Sequence, residues 1–246
     1  MISALRPGAR VSARSIASLL LAVTLAAVFV RLGMWQWHRG LDREAQWARF
    51  AHGAAQVIDL DGRPVSDVPL YQQVRVSGEL DGAHQFLLDN RTLHGRAGFE
   101  VLTPLARRTL PQLLVDRGWV PVGGVRTQLP NVALAPAGPV TLVGRTAALP
   151  SPGLASGRVA PAPAAPWPKV TSYPDIEELA SALGKPLSAR ILLLDPGAPY
   201  GYERDWQPPG LPPMRHFGYA FQWWIFAGLA LAAWFVLRRQ RREVVR

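Results

Sequence analysis

The residues best suited to chemistry lie in one short stretch, MRHFGYAFQWWIFAG, from Met214 to Gly228. His216, Tyr219 and Trp223 have the spacing that places side chains on one face of a helix, with the small Ala220 among them. A neutral imidazole can bind the iron of a haem, and aromatic rings can pack along a porphyrin. The alternative is an aromatic belt where a helix meets the membrane surface, with His216 marking the boundary. The residues alone leave both interpretations open.

The rest of the sequence offers little catalytic chemistry. The chain has no cysteine, which excludes disulfides, thiolate metal sites and cysteine nucleophiles. It also lacks the motifs of serine hydrolases, phosphate-binding loops, zinc peptidases and dinucleotide-binding folds. The other histidines have no ligand-like partner at close spacing, so a structural or surface role is the simpler interpretation (His38, His52, His84 and His94). We therefore expect no enzyme, and a membrane-anchored hydrolase is the least favoured class.

The formal net charge of +10 is concentrated at the two ends of the chain. Four arginines and no acidic residue lie in residues 1–31, and five arginines with one glutamate lie in residues 238–246. The segment between them is nearly neutral. Basic ends that flank apolar runs are a topology signal, whereas a nucleic-acid-binding protein has a basic patch on its folded domain. The sequence thus predicts no nucleic-acid partner.

Two apolar runs predict helices that cross a lipid bilayer. The run from Phe217 to Leu237 carries no formal charge and reaches about 31 Å as a helix, which matches a bilayer core. The first run, Ser15 to Val30, is also compatible with a cleaved signal peptide, but no small-x-small cleavage site follows it. Trp35 and Trp37 instead suit an interfacial belt. We expect both runs to remain as anchors.

The positive-inside rule then orders the chain. We expect a cytoplasmic basic tail at 1–14, a transmembrane helix at 15–37, an exoplasmic domain at 38–215, a second transmembrane helix at 216–237 and a cytoplasmic basic tail at 238–246. In a bacterium this is a multi-pass protein of the inner (plasma) membrane, with both termini in the cytoplasm and the main domain in the periplasm.

The segment between the two runs has the alternation and turn residues of strands. Six stretches are rich in β-branched or aromatic residues: YQQVRVSGEL, HQFLLDN, GFEVLTPL, QLLVDRGWVPV, VTLVGRTAAL and RILLLD. PDIEELASALG predicts a helix that ends at Gly184, residues 40–53 predict a short charged helix, and Pro150 to Pro168 predicts a mobile or extended loop. The predicted fold class is a membrane protein with two transmembrane helices flanking an α+β exoplasmic domain. That domain is mainly an antiparallel sheet or partly closed barrel with appended helices.

Four ordered motifs resemble those of the surfeit locus protein 1 family of cytochrome c oxidase assembly factors. LGMWQWHR resembles the family's LGxWQxxR signature at Leu32, Gly33, Trp35, Gln36 and Arg39. The central block resembles the family's strands and its Asn-Arg turn at Asn90, Arg91, Gly98, Thr103 and Pro104. LLVDRGWVP resembles a further element at Val115, Arg117, Gly118, Trp119, Val120 and Pro121. RHFGYAFQWW resembles the start of the family's second span at His216, Tyr219, Ala220 and Trp223.

The resemblance implies a role in maturing haem-copper oxidase, at the step where haem A reaches subunit I. It implies oxidase subunit I as partner, with haem A synthase as a second candidate. It favours His216 as the haem iron ligand, with Tyr219 and Trp223 lining a transient haem A site near the start of the second helix. The apolar tail would stay in lipid and the propionates would reach water near Arg215. The remaining matched residues are expected to serve structure or docking, with Gly118 and Trp119 at a strand end. A scaffold that stabilises oxidase intermediates without binding haem is the alternative.

Overall fold

The computed structural model describes residues 13–53, 56–124, 128–134, 138–150, 157–208 and 210–244, with the side chains of Arg14 and residues 241–244 excepted. The helices are α1 (Ala13–His52), α2 (Ile176–Leu183) and α3 (Pro213–Val244). The strands are β1 (Ile58–Asp59), β2 (Gln73–Leu80), β3 (Phe86–Leu93), β4 (Arg96–Ala106), β5 (Gln112–Pro121), β6 (Val140–Ala147), β7 (Lys169–Thr171) and β8 (Leu187–Leu194). Residues 1–12 of the predicted basic tail and 151–156 of the predicted loop lie outside the described residues. The chain forms two compact units, one containing α3 and α1 up to Trp47, the other spanning Ala48–Pro208.

Five strands of the second unit close into a barrel. Around it follow β2, β6, β8, β5 and β4, and β4 returns to β2 through the pairs Glu79–Ala106 and Leu80–Leu105. Neighbouring strands are antiparallel except β5 and β8, which run parallel. The prediction of a sheet or partly closed barrel is confirmed, and the barrel is closed. β3 extends the sheet from β4, and the short β7 and β1 pair with β3 and β2.

Alternation along the strands divides the apolar side chains between the barrel interior and its outer face. All five barrel strands contribute to one buried cluster, which includes Val76, Leu105, Leu113, Leu142 and Leu192. The alternate residues of four barrel strands point outward and form a second cluster with β3 and α2. This cluster consists of Phe86, Leu88, Leu102, Leu114, Ala147, Leu179 and Ile191. The first cluster buries Leu113 and Val115 of β5, the second buries Leu114, and a third cluster that includes Phe99 and Val101 buries Val120.

The bounds of α2 follow from its sequence. The Glu178 carboxylate accepts a hydrogen bond from the Asp175 backbone N–H at 3.0 Å, which satisfies a free donor at the helix start. Gly184 takes φ of 70° after the last turn, a conformation that glycine adopts without strain. Leu179 is fully buried and attaches the helix to the outer cluster.

Two predicted details of the strands are wrong. The pair Asn90 and Arg91, expected in a turn, lies inside β3, where the register against β4 shifts and Asn90 takes φ of 60°. Asparagine suits a left-handed residue in a bulge as well as in a turn, so the sequence signal is the same for both. The hairpin turn comes later, at His94 and Gly95. Gly118, expected at a strand end, lies within β5 at a second register shift.

α1 and α3 each contain a segment long and apolar enough to cross a membrane, with mean hydropathy of 2.2 and 1.7. In α1 and α3, 17% and 11% of the most apolar 18-residue segment is buried. Neither segment therefore has the burial of a soluble protein's core helix. The predicted charged helix at residues 40–53 is a continuation of α1. Small residues line the face on which α1 and α3 meet, since Ala22, Ala26, Gly33, Gly40, Ala220 and Ala227 are the buried positions of this helix pair.

Candidate functional site

His216, in the first turn of α3, meets Gln36 of α1. Nδ1 of the imidazole lies 2.9 Å from Oε1 of the glutamine amide. With its proton on Nδ1, His216 donates this hydrogen bond, which orients the ring and leaves the lone pair of Nε2 available to a metal. The contact joins two segments that lie 180 residues apart in the chain.

Glycines let the two helices approach closely on either side of this contact. A Cβ at Gly33 would overlap the indole of Trp224, and a Cβ at Gly40 would overlap the ring of Phe217. Trp37 packs beside both rings, at 4.8 Å from Phe217 and 5.8 Å from Trp224 between ring centroids. The rings of α3 thus lie directly on the glycine positions of α1, and between these positions the side chain of Gln36 reaches the imidazole of the facing helix.

The other residues of the predicted stripe have different surroundings. Ala220 is completely buried, on the side of α3 that faces α1. Trp223 is half-buried and stacks on Phe29 of α1 at 5.7 Å. Tyr219 is exposed. The structure thus brings His216 together with Gln36, uses Ala220 and Trp223 in the helix pair, and leaves the Tyr219 ring on the open surface of α3.

The chemistry of this region suits a single axial ligand. Among the residues that the structure describes, no group of three or more histidine, cysteine, aspartate or glutamate side chains could hold a metal ion. A haem brings its own four nitrogen ligands and needs only one or two side chains from the protein. Arg39 and Arg43, on the α1 turns after Gln36, lie close enough to act electrostatically on His216. Apolar rings with nearby cations fit the porphyrin and the propionates of a haem.

The matched residues of the barrel unit form buried polar networks. Nη1 of Arg117 donates to Oε1 of Gln85 at 2.8 Å, and Nε donates to the Tyr200 carbonyl at 2.6 Å. Gln85 also accepts from the Thr103 hydroxyl at 3.0 Å and donates to the Val132 carbonyl at 2.9 Å. Arg117, Gln85 and Thr103 are each at most 3% exposed. The network is satisfied internally, so these residues hold two loops against the barrel.

Gly98, Gly118 and Trp119 form a second packed group. A Cβ at Gly98 would overlap the indole of Trp119, which is 4% exposed. Gly118 takes φ of 109°, and a Cβ there would press on the Glu203 carbonyl. The same carbonyl accepts a hydrogen bond from the backbone N–H of Trp119 at 2.8 Å. The Arg96 guanidinium lies 4.9 Å from the indole centre. The glycines therefore make room for the tryptophan and the chain that crosses it.

Arg91 lies beside the partly exposed Glu100, and its charge also acts on the buried Asp116. Its Nε is 3.0 Å from Oε2 of Glu100. Burial raises the pKa of Asp116 well above its usual range, and the Glu100 charge raises it further, although the Gly118 N–H and Arg91 act in the opposite sense. Burial also raises the pKa of Glu100, and the attraction of Arg91 only partly offsets this.

The remaining matched residues have individual positions. The Asn90 amide donates to the Ser172 hydroxyl at 3.4 Å. Pro104 is buried opposite Leu114, and Pro121 ends β5 opposite Gly98. Trp35 and Arg39 are exposed on α1. Of these side chains, Arg39 acts electrostatically on His216, while Asn90, Pro104 and Pro121 belong to the barrel unit.

Sequence reasoning missed Gln85, Glu100 and Asp116, and it did not pair Gln36 with His216. A signal was present for Glu100 and Asp116, because each is a charged residue within a stretch that predicts a strand, whereas Gln85 lies just before β3 begins at Phe86. A buried polar side chain needs a partner, so such positions indicate internal networks. No local signal could reveal the Gln36–His216 contact, which depends on how α1 and α3 pack.

The comparisons agree with the motifs. The model of the SURF1 family matches residues 23–228, which include both halves of the Gln36–His216 contact and the barrel. No curated protein matches the chain. The chain therefore belongs to the SURF1 family, whose members are cytochrome oxidase assembly factors.

Proposed function

We propose that this protein binds haem A at His216 while it assists the delivery or insertion of haem A into subunit I of a haem-copper cytochrome c oxidase. The observation that carries the proposal is the hydrogen bond of His216 to Gln36, since a metal-binding imidazole is normally oriented by a partner on its other nitrogen. Gln36 supplies that partner without adding a charge at the membrane edge.

The neighbouring residues support the binding of an apolar macrocycle. The haem would supply the iron, and Nε2 of His216 would be the protein group that holds it. Tyr219 offers an exposed ring one turn further along α3, and the Phe29–Trp223 stack keeps the second helix in place behind it. Arg39 and Arg215, both exposed, are the cations proposed for the propionates. The apolar tail remains in lipid.

The same proposal places the chain in the bacterial inner membrane. Both basic ends lie in the cytoplasm and the barrel lies in the periplasm. Oxidase subunit I is the proposed partner, and haem A synthase is a second one that could pass haem A to this protein. Function in assembly calls for no catalysis by this chain.

A scaffold without haem is the second candidate, and one observation favours it. Ala220 and Trp223, which could have opened a haem surface, are occupied by the packing of α1 on α3. In that case the Gln36–His216 contact only fastens the two helices together, and the protein holds oxidase intermediates through its exposed surfaces.

Absorption spectroscopy of the full-length protein separates the two candidates. The protein is purified in detergent from cells that make haem A, and the haem-free protein is then titrated with haem A. A Soret band on purification and a saturable change near one equivalent support haem binding. Clean protein without a Soret band, together with no saturable change in the titration, overturns it and leaves the scaffold.

A further inference from the structure

The face of α1 that points away from α3 carries an arginine within the apolar segment. Arg31, Trp35 and His38 follow at the spacing of one helix face. Gly33 and Gly40, which contact α3, are about half a turn away from this face. Arg31, Trp35 and His38 are all exposed. We name this surface the Arg31 groove, because a shallow groove of about 980 Å³ runs along it.

The groove has a polar end and an apolar end. The apolar end, toward the start of α1, is lined by Val23, Ala27 and Val28. The polar end, further along α1, is lined by Arg31, Trp35 and His38. From Val23 to His38 it extends about 22 Å along the helix. His38 bonds the Met34 carbonyl through Nδ1 at 2.7 Å, so its Nε2 faces outward. An elongated molecule with an anionic head and an apolar chain matches both the length and the polarity.

Arg31 needs such a partner. Within the described part of the chain its side chain has no hydrogen bond or ion pair. It lies about 24 Å along the helix from Ser15, roughly one turn short of Trp35. A guanidinium at this depth is unfavourable unless it reaches the interface or pairs with an anion. The planar guanidinium can bind two phosphate oxygens through two parallel N–H donors, a geometry that the ammonium of lysine lacks.

The packing of the groove favours a lipid over a partner helix. Where α1 does pack against a helix, small residues such as Gly33 and Gly40 let the backbones approach. The Arg31 groove instead presents large exposed side chains, including Met34 and Trp35. A flexible acyl chain can follow such an uneven surface, whereas a rigid helix cannot.

We propose that the Arg31 groove is a binding site for one anionic phospholipid, with the phosphate on Arg31 and an acyl chain along Ala27 and Val28. Trp35 lies at the level of the lipid headgroup, where tryptophan is favoured. The site is separate from His216, so the proposal stands whether or not haem is bound.

Native mass spectrometry of the full-length, delipidated protein tests the site. The protein is titrated in detergent with phosphatidylglycerol or phosphatidylcholine. We expect one phosphatidylglycerol to bind tightly and phosphatidylcholine to bind at least about tenfold more weakly. The reason is that hydrogen bonds to charged groups are stronger than those between neutral groups. Arg31→Gln should weaken the binding of phosphatidylglycerol about tenfold or more, and Arg31→Lys should weaken this binding less. Ala27→Phe keeps the charge but fills the groove, and it should also weaken binding.

Arg49→Gln is the matched control, because it removes one exposed arginine from the last turn of the same helix. It should bind phosphatidylglycerol like the parent. Equal binding of the two lipids by the parent, or unchanged binding by both Arg31→Gln and Ala27→Phe, overturns the proposal. Displacement of the lipid by millimolar inorganic phosphate indicates a site for a bare anion and also overturns it. If Arg31→Gln binds the lipid like the parent but no longer co-purifies with another membrane protein, the groove binds a partner helix and the proposal is wrong.

Discussion

At the scale of single residues, the pairing of His216 with a glutamine rather than an acid has a physical reason. A carboxylate at the edge of a bilayer would lose hydration and would favour the protonated imidazolium, which cannot bind iron. The Gln36 amide oxygen accepts the same hydrogen bond and carries no charge. In the proposed haem site, the imidazole would thus be held by an uncharged partner, with Nε2 left to bind the iron.

Two substitutions separate the ligand from the residue that orients it. His216→Ala should abolish saturable haem A binding, because the rings alone supply only apolar contact. Gln36→Leu keeps the size of the side chain but removes the acceptor, and it should weaken haem A binding about 10- to 100-fold. Both affinities are read from the Soret change in a haem A titration.

The control is His94→Ala, since His94 lies in the hairpin turn of the barrel unit and is exposed. It should bind haem A like the parent. A His216→Ala protein with parental affinity removes the haem proposal, and a Gln36→Leu protein with parental affinity removes the orienting role of Gln36.

Asp116 should make the barrel less stable as pH rises. Its pKa is raised by burial, so folding favours the protonated acid. The stability that this gives is complete below the pKa of an aspartate in the unfolded chain, and it is lost as pH rises through the higher folded pKa. Asp116→Asn should therefore become more stable relative to the parent as pH rises above the pKa of an unfolded aspartate.

Thermal unfolding in detergent across a pH series measures this effect. The parent should lose stability toward alkaline pH more steeply than Asp116→Asn. Asp205→Asn, a change at an exposed acid, should follow the parent curve. If parent and Asp116→Asn have parallel curves, Asp116 is ionised in the fold and the argument from burial is wrong.

At the scale of elements, the closest part of the α1–α3 contact lies beside the functional contact. Gly33→Leu places a side chain where the Trp224 indole lies, and such overpacking typically costs about 1–3 kcal/mol. We expect a lower thermal midpoint in detergent and weaker haem A binding, because Gln36 and His216 are held together by this packing.

Gly228→Leu is the matched control, because a Cβ at Gly228 meets no atom within 4 Å. It should leave the thermal midpoint and the haem affinity unchanged. A Gly33→Leu protein with both properties intact would show that the helices do not need the close approach.

The elements were more predictable than their contacts. All six predicted strand stretches contain a strand, because alternation and β-branched residues are local signals. The bounds of α2 followed from its acids and Gly184 for the same reason. The bulges at Asn90 and Gly118 were not predictable, since a bulge depends on the register of the neighbouring strand. Closure of the barrel through Leu80 and Leu105 depends on pairing between distant segments.

In the candidate site, too, single residues could be predicted from the sequence but their contacts could not. His216 and Gln36 were each singled out by their motifs, but the motifs do not say that the two side chains touch. Ala220, the small residue of the predicted stripe, is completely buried, which a side-chain pattern on α3 alone does not show.

At the scale of the whole molecule, the charged ends predict the topology. Reporter fusions placed after Pro130 and at the C-terminus should report opposite sides of the membrane. An intact mass that begins near Met1 supports a retained anchor. Two fusions that report the same side contradict the assignment of the spans, and a mass that begins beyond Val30 contradicts the anchor.

A deletion strain tests the role in assembly. Cells that lack the protein should still contain haem A by pigment extraction, but their oxidase should have less haem or be less abundant. His94→Ala should restore the oxidase fully and His216→Ala only in part. Loss of haem A itself would indicate a role in its synthesis and would contradict the assembly proposal.

The order of strands in the barrel sets when the domain can finish folding. β8 lies between β5 and β6, so the ring has a gap until Leu194 has been synthesised. Only the short segment 195–212 then separates the barrel from α3. Completion of the barrel should therefore come only shortly before α3 is synthesised. A chain stalled before β8 would leave an open sheet, available to chaperones and proteases.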